Sequence, residues 1–467
     1  MGSQDVVVIG GGLSGLTTAY LLAGRGLHVT LLEAEERPGG QARAFQIDGH
    51  IVEHGSHAFF GYYDTSVKLL EELGTRGLVE QISGWTICDA YGRVATIEQS
   101  SWLPRLVSVV PSMLTVPWMG IRDKLRLLFA ALRIIQIPEE DLIEADKSTA
   151  FELGKAEGYS NIGVWTWNSA SLGLTNLFVH EQSGAIFAGK HKVLIGTKAG
   201  LSYLLPKGDL SDVLANPLRA GAEARGATVI TRARATAIER LGGVPDQHQA
   251  RVRYEREGVA AELAAHHVIV ALQPWDAAEL ITWRKDPWME LKRVTPVITM
   301  TIGLSGRIEA STDGREYGFS REQWMFSVVT DLSRLFPRYQ GDKTVLRVEI
   351  GHADRLPGGM AMDEAELLRQ VKQDLDRFWP EAIPMHIEFA KLNREAKHLY
   401  VSWTRGQFGK KPKPEDRDLG SGIFLAGDWT TRGTIGMEAA CNSAYEAANH
   451  VLNQRGEDPF VYRDVPL

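Results

Sequence analysis

The sequence predicts an α/β fold: a doubly wound, Rossmann-like dinucleotide-binding domain with a second α+β domain and a helical lid. Three observations predict it. First, Asp5-Val-Val-Val-Ile9 is an apolar run, Gly10-Gly-Gly-Leu-Ser-Gly15 follows at once, and a helical stretch runs from Leu16 to Arg25. Second, His28-Val-Thr-Leu-Leu-Glu33 reads as a strand ending in an acid. Third, Gly422-Ile-Phe-Leu-Ala-Gly427-Asp428 reads as a buried strand far downstream, followed by a helix from Gly436 through Ala448. A glycine turn that follows a strand, opens a helix and meets an acid about 20 positions later is a dinucleotide fingerprint.

Each position in that fingerprint has a physical task. Gly10 permits the tight turn, Gly12 lets the backbone approach a pyrophosphate, and Gly15 lets helix and strand pack closely. Leu13 and Ser14 open the helix, whose free amides face the phosphates. Glu33 accepts from ribose hydroxyls, and an acid there disfavours a 2′-phosphate. Arg37-Pro-Gly39-Gly40-Gln41-Ala42-Arg43 suits a phosphate-rich ligand, because its glycines allow close approach and its arginines pair or stack. Asp428 at a strand tip suits a hydroxyl. The helix start at Gly436, with Met437 and Glu438, points amides and a positive dipole end at whatever lies there.

Composition narrows the class. With 467 residues the chain can bury a large core, and its 44% hydrophobic and 23% charged content is that of a globular protein. A net charge of −7 without a basic block argues against a nucleic-acid partner. The two cysteines, Cys88 and Cys441, fit a reducing compartment and exclude a disulfide framework. The first strand starts almost at the N-terminus, so neither a signal peptide nor a transit segment is expected, and the location expected is cytoplasmic. No run reaches the length of a membrane span. The nearest, Trp102–Pro138, is broken by Pro104, Pro111, Pro117 and by Arg122 to Lys124 into short helices. It reads as a lid over an apolar pocket or plain core, or as a surface resting on a membrane.

Between the two ends lie Leu205-Pro-Lys-Gly208, a helix from Leu210 to Arg225, strands over 226–230 and towards Arg240, and His267-Val-Ile-Val-Ala271. In this order the pieces resemble the flavin-dependent amine oxidase and phytoene desaturase superfamily. Glu53-His-Gly-Ser-His-Ala-Phe-Phe60 and Gly427-Asp-Trp-Thr430 with Met437-Glu438 are most similar to its carotenoid and squalenoid desaturases. Gln41 and Arg432-Gly-Thr-Ile435 depart from that pattern. The resemblance implies FAD, held also by Gly55, Ser56 and the backbone of Ala235, and a hydrophobic small-molecule substrate. Oxygen, a quinone or a second flavoprotein all fit as electron acceptor.

Three functions follow: a desaturase or dehydrogenase taking hydride from a polyene or terpenoid, an amine oxidase, or a non-catalytic FAD-bound escort of a hydrophobic ligand. His57 and His54 are the candidate catalytic residues, as proton acceptors, or else they bond nearby backbone. Phe59, Phe60, Tyr62, Tyr63, Trp165, Trp167 and Trp324 are candidate walls of an apolar tunnel, or core. His50-Ile-Val-Glu-His54 matches a zinc spacing on a helix, but its β-branched centre and flanking glycines suit a strand, and no metal is proposed. His191, between two lysines, reads as a solvated turn. The FAD domain is expected from 1–95, 201–280 and 420–450, the substrate domain with its lid from 96–200 and 281–419, and a tail from 451–467.

Overall fold

The structure is a computed structural model that describes residues 4–104, 107–197, 199–241, 248–311, 314–320, 322–394, 400–431, 433 and 435–462. Leu106, Arg432, Thr434 and tail residues 463–467 lie outside the described residues.

The N-terminal valine run forms the strand Gln4–Ile9, with Val6 to Ile9 buried. A run apolar on both faces suits a strand covered on both sides. The helix Leu13–Ala23 follows and is buried along its whole length. Val29–Leu32 then pairs in parallel with the first strand, Val6 opposite Val29 and Ile9 opposite Leu32. Thr228–Ile230 joins beyond Val29–Leu32, also in parallel. On the other side come the end of Val259–Val270 and then Ile423–Leu425. Numbered along the chain, the five parallel strands lie in the order 3-2-1-4-5. This is a doubly wound sheet, with its switch point between the first and fourth strands.

The strand Val259–Val270 belongs to two structures. Val259 to Ala265 pair antiparallel with Ala250–Arg256, which pairs with Ala233–Arg240. Val268 to Val270 pair in parallel with Ile423–Leu425. The sequence reveals only the second half, an unbroken apolar run. The first half is half-exposed and carries Glu262 among alanines.

A second seven-stranded sheet has Ile298–Leu304 and Val345–Ile350 as antiparallel neighbours near one edge. The helix Glu364–Phe378 packs Leu367, Val371 and Leu375 into the core of this sheet. Asp363 caps it, accepting from the Glu366 N–H at 3.0 Å, and Trp379 ends it just before Pro380. Trp85–Cys88 pairs in parallel with Glu316–Phe319 and forms a hairpin with Val94–Ile97. The chain therefore enters the second sheet ahead of the expected boundary at 95. The hairpin Ala44–Ile47/His50–Glu53 joins the two halves of the molecule: the Thr299 and Thr301 hydroxyls donate to the carbonyls of Glu53 and Ile51.

The proline-broken segment forms the helices Val110–Leu114 and Ile121–Ile135. No helix among the described residues is long and apolar enough to cross a membrane. His191 corrects the sequence reading. It is fully buried in the helix Gly184–Leu194, its Nε2 2.6 Å from the Tyr159 hydroxyl and its Nδ1 2.8 Å from the Phe187 carbonyl oxygen. Lys190 is buried as well, so the flanking lysines did not mark a surface.

Gly15 shows how closely the first helix approaches the first strand. A Cβ built there would lie 1.9 Å from the Gly10 carbonyl oxygen, so backbone would have to move. Gly15→Ala should cost about 1–3 kcal/mol through overpacking and open the glycine turn. The check is a lowered thermal midpoint together with reduced cofactor retention.

Candidate active site

One cleft follows the carboxyl ends of the parallel strands at the switch point, where doubly wound folds bind ligands. It holds about 530 Å³ of space and is open to solvent. Gly10, Gly12, Leu13, Ser14, Glu33, Arg37, Gly39, Gly40, Gln41, Ala42 and Arg43 line it. So do His54, Gly55, Ser56, His57, Ala235, Gly427, Asp428, Gly436 and Met437. All but two of the expected site residues thus meet in one place.

Two expected cofactor residues do not line it. Gly15 is packed beneath the turn, as described. Glu438 faces away: its carboxylate accepts from the Thr65 and Ser66 N–H groups at 2.7 and 2.9 Å and from the Ser66 hydroxyl at 2.6 Å. It caps the helix Thr65–Glu72, where free amides and the positive dipole end favour a carboxylate.

The polar half of the cleft fits a dinucleotide. A Cβ at Gly12 would meet nothing within 4 Å, so the backbone there faces open space. The helix beginning at Leu13 has no side-chain cap and no acid in its first turn, which leaves its amides for an anion. Glu33 accepts from the Gly11 N–H at 2.6 Å and the Glu35 N–H at 2.7 Å. It therefore ties the glycine turn to the second strand, and each oxygen keeps a lone pair for a ribose hydroxyl. Gly39, at φ +130°, donates to the Gly11 carbonyl at 2.7 Å and holds the arginine loop against the turn. Gln273 Oε1 is buried in the wall without a partner among the described residues, an acceptor open to a ligand donor. The C-terminal segment is fixed to the same turn: the Ser443 hydroxyl lies 2.8 Å from that of Ser14 and accepts from the Gly427 N–H at 2.9 Å.

The other half of the cleft carries Trp403 and groups the sequence did not single out: Glu316, Glu349, Tyr400, Val297 and Val328. Behind it is a buried charge cluster. Arg347 pairs with Glu53, with Glu316 at 2.8 Å and with the Ser56 hydroxyl at 2.9 Å. Among the described residues Glu349 makes no ion pair, and it accepts from the Ser56 N–H at 2.9 Å. Burial, with Glu316 nearby, raises Glu349 from 4.5 to about 7. His57, in the same wall, is pushed down to about 4 by burial and then by Arg347, so it is neutral at pH 7. Burial raises Asp428 to about 6 against the pull of Lys411, which lies 4.5 Å over the Trp403 ring. His54 sits edge-on to Phe45, and His50 stacks on Phe389 with centroids 3.8 Å apart. The zinc-like spacing is thus dispersed, its Glu53 committed to Arg347.

Of the aromatic candidates, Phe60, Tyr62 and Tyr63 line the cleft. Phe59 is core, Trp165 is exposed, and Trp324 donates to the Asp89 carbonyl inside the second sheet's core.

The sequence pattern described as flavin containing amine oxidoreductase matches residues 13–452. The chain belongs to this family. As a flavin amine oxidoreductase, it is an FAD-dependent oxidoreductase enzyme. It is 22% identical over 482 residues to 15-cis-phytoene desaturase of Narcissus pseudonarcissus, covering 96% of this chain and 79% of that protein. It is 39% identical to coproporphyrinogen III oxidase of Propionibacterium freudenreichii over 69 residues, only 15% of this chain and 13% of that protein. Its fold is that of cyclohexylamine oxidase from Brevibacterium oxydans: TM-score 0.68, 17% identity, 98% of this chain and 100% of that one covered.

Two outcomes test the site of this flavin amine oxidoreductase. Glu33→Ala removes a charged acceptor and the brace on the glycine turn, and FAD affinity should fall by about 1.5–3 kcal/mol, read by equilibrium release of free FAD. Arg347→Met leaves buried carboxylates uncompensated and should cost about 3–5 kcal/mol, read by denaturant unfolding of the FAD-loaded protein.

Proposed function

We propose that this enzyme is a desaturase or dehydrogenase that takes hydride from a hydrophobic substrate of the polyene or terpenoid class. The observation that carries the reading is the lid. Its helix Ile121–Ile135 buries Leu127, Ala130, Ala131 and Ile134, yet it also exposes Ile121, Leu125 and Phe129, at 65%, 47% and 57%. Trp102 is 76% exposed nearby in sequence, and Arg122, Arg126 and Arg133 are exposed on the same helix. Apolar residues set among cations suit a surface that takes a water-insoluble molecule from a membrane.

When bound, FAD supplies the hydride acceptor. The chain's own residues position and deprotonate. Phe60, Tyr62, Val297, Val328 and Trp403 give the substrate half an apolar stretch of wall. Removing two hydrogens releases a proton as well as a hydride. Glu349, raised to about 7, and Asp428, raised to about 6, are wall groups whose charge changes near neutrality, and the Glu349 carboxylate, in the substrate half, can hold that proton. Neutral His57 has the same capacity and stands beside Ser56, to which Glu349 is bonded.

A second reading, an amine oxidase, has one observation in its favour. Glu316 and Glu349 place carboxylates in the wall beside Tyr400 and Trp403, a setting that suits an ammonium group. Anaerobic titration decides between them. Bleaching of the flavin by a long polyene, and not by alkylamines, supports the desaturase, and the reverse result establishes the amine oxidase.

The acid in the wall has a pH signature. The bleaching rate should rise as pH passes upward through about 7, where Glu349 ionises. His57→Ala and Glu349→Gln should each keep the flavin spectrum; the residue that holds the proton should cost about 10²–10⁴-fold in rate. The fold reports the same group independently. Its pKa is raised on folding, so the native state holds the extra proton and stability should fall as pH rises from 4.5 to about 7. Glu349→Gln should flatten that fall in thermal midpoint. Flotation with anionic liposomes at low salt should carry the protein upward, and Phe129→Asp should abolish it.

A further inference from the structure

The segment from Tyr400 to Lys411 has two sides. Tyr400 and Trp403 line the cleft. Lys411 lies behind them. It is 2% exposed, and its Nζ stands 4.5 Å over the Trp403 ring and 5.5 Å over that of Phe408. A shielded ammonium therefore sits one ring's thickness behind the cleft wall.

The fold holds it there. Asp146 is buried and ties the loop down. Its carboxylate accepts from the Gly409 N–H at 2.8 Å and from the Ser183 hydroxyl at 2.5 Å, and its carbonyl accepts from the Gly406 N–H at 3.0 Å. The Ser183 N–H donates in turn to the Trp403 carbonyl at 2.9 Å. Gln407 accepts from the Lys292 N–H at 3.1 Å. Anchored from Trp403 to Gly409, the loop cannot carry Lys411 out to solvent without breaking these bonds.

A buried ammonium is costly unless its charge is compensated. Two ring faces compensate part of it. Asp428, in the same cleft wall, supplies an opposite charge. Burial raises Asp428, Lys411 draws it back, and the Asp428 and Trp429 N–H groups donate to its carboxylate. Tyr400 also acts on this acid, but burial, then Glu349 and Asp428, raise its hydroxyl, so it stays neutral. The counter-charge of the strand-tip acid thus comes from behind the wall.

We infer that Lys411 is a positioning residue of the cofactor site: from behind Trp403 its charge keeps Asp428 a carboxylate, the form that holds a hydroxyl of FAD most strongly. This rests on Asp428 as a contact of bound FAD, and it adds a task for the lysine enclosed in the wall. A charged acceptor makes the stronger hydrogen bond, so the enclosed cation secures cofactor binding at neutral pH.

FAD affinity measured against pH tests it. The unaltered protein should hold FAD evenly above neutrality and lose affinity as pH falls through about 6, where Asp428 takes up a proton. Lys411→Met should move that fall upward by about one to two pH units. Affinity at pH 7 should then drop about two- to tenfold and recover at alkaline pH. Lys411→Arg, which restores the cation, should restore the profile. An equal loss at every pH would mean that the lysine only props the loop, and an unmoved profile that its charge does not reach Asp428; either result overturns the inference. Asp428→Asn should abolish the fall, and Lys411→Met in that background should move no pH step. A fall that persists in Asp428→Asn belongs to another group and rejects the assignment. FAD affinity unaltered at every pH by Asp428→Asn would remove the acid from the cofactor site, and the role of Lys411 with it. Should the single lysine variants fail to fold, thermal midpoints decide. Asp428→Asn leaves a buried ammonium uncompensated and should lower the midpoint, and adding Lys411→Met should recover part of the loss. A double variant no more stable than Asp428→Asn rejects the pairing.

Discussion

A single guanidinium organises the joint on which the active site is built. Arg347 rises from the strand Val345–Ile350 of the second sheet and meets Glu53 of the hairpin that leads out of the nucleotide half. Glu316 completes the pair from a third strand. Charges this deeply buried are costly unless satisfied on every side, and here Ser56 and Thr330 supply further bonds. The loop running from His54 to His57, which forms the cleft wall, is thereby fixed at its root. Three carboxylates around one cation cannot all ionise cheaply in such a place. The carboxylate outside the ion pairs, Glu349, bears the consequence. A structural requirement at the joint thus creates the titratable group facing the substrate.

The cleft has two characters because two kinds of backbone meet there. On one side, helix starts without acids in reach leave amides for phosphates. On the other, the inner face of the second sheet contributes valines and aromatics. Glu438 shows how the division is kept. An acid at the head of the last helix would compete with the cofactor for its amides, and this one is instead spent on the N-terminus of a neighbouring helix.

The nucleotide half was readable from the chain because its chemistry depends on local order: strand, glycine turn, helix, acid. The backbone does most of that work, and glycines report it directly. The substrate half was not readable. Glu316, Glu349 and Tyr400 come from separate strands and loops, and nothing in their neighbours' spacing marks them as facing one space. His191 misled for a related reason. Lysine on either side usually signals solvent, but Lys190 lies buried beside Thr175 in a helix that is buried almost throughout. Trp324, read as a candidate wall, serves the core of the second sheet. Aromatic residue type alone does not separate a wall from a core.

The split strand Val259–Val270 has a consequence for how the protein comes into being. Its far neighbour, Ile423–Leu425, is made some 150 residues later, and the last helix docks Ser443 on Ser14 across 429 positions. The first helix therefore waits for a partner 429 positions further along the chain. Until then the first helix and strand, both built to be covered on all sides, stand with apolar surface open. Such long-range closure slows folding and exposes intermediates to aggregation. The dinucleotide pocket closes only once Ile423–Leu425 and Ser443 have been made, and a chain stopped short of residue 420 lacks that part of its wall.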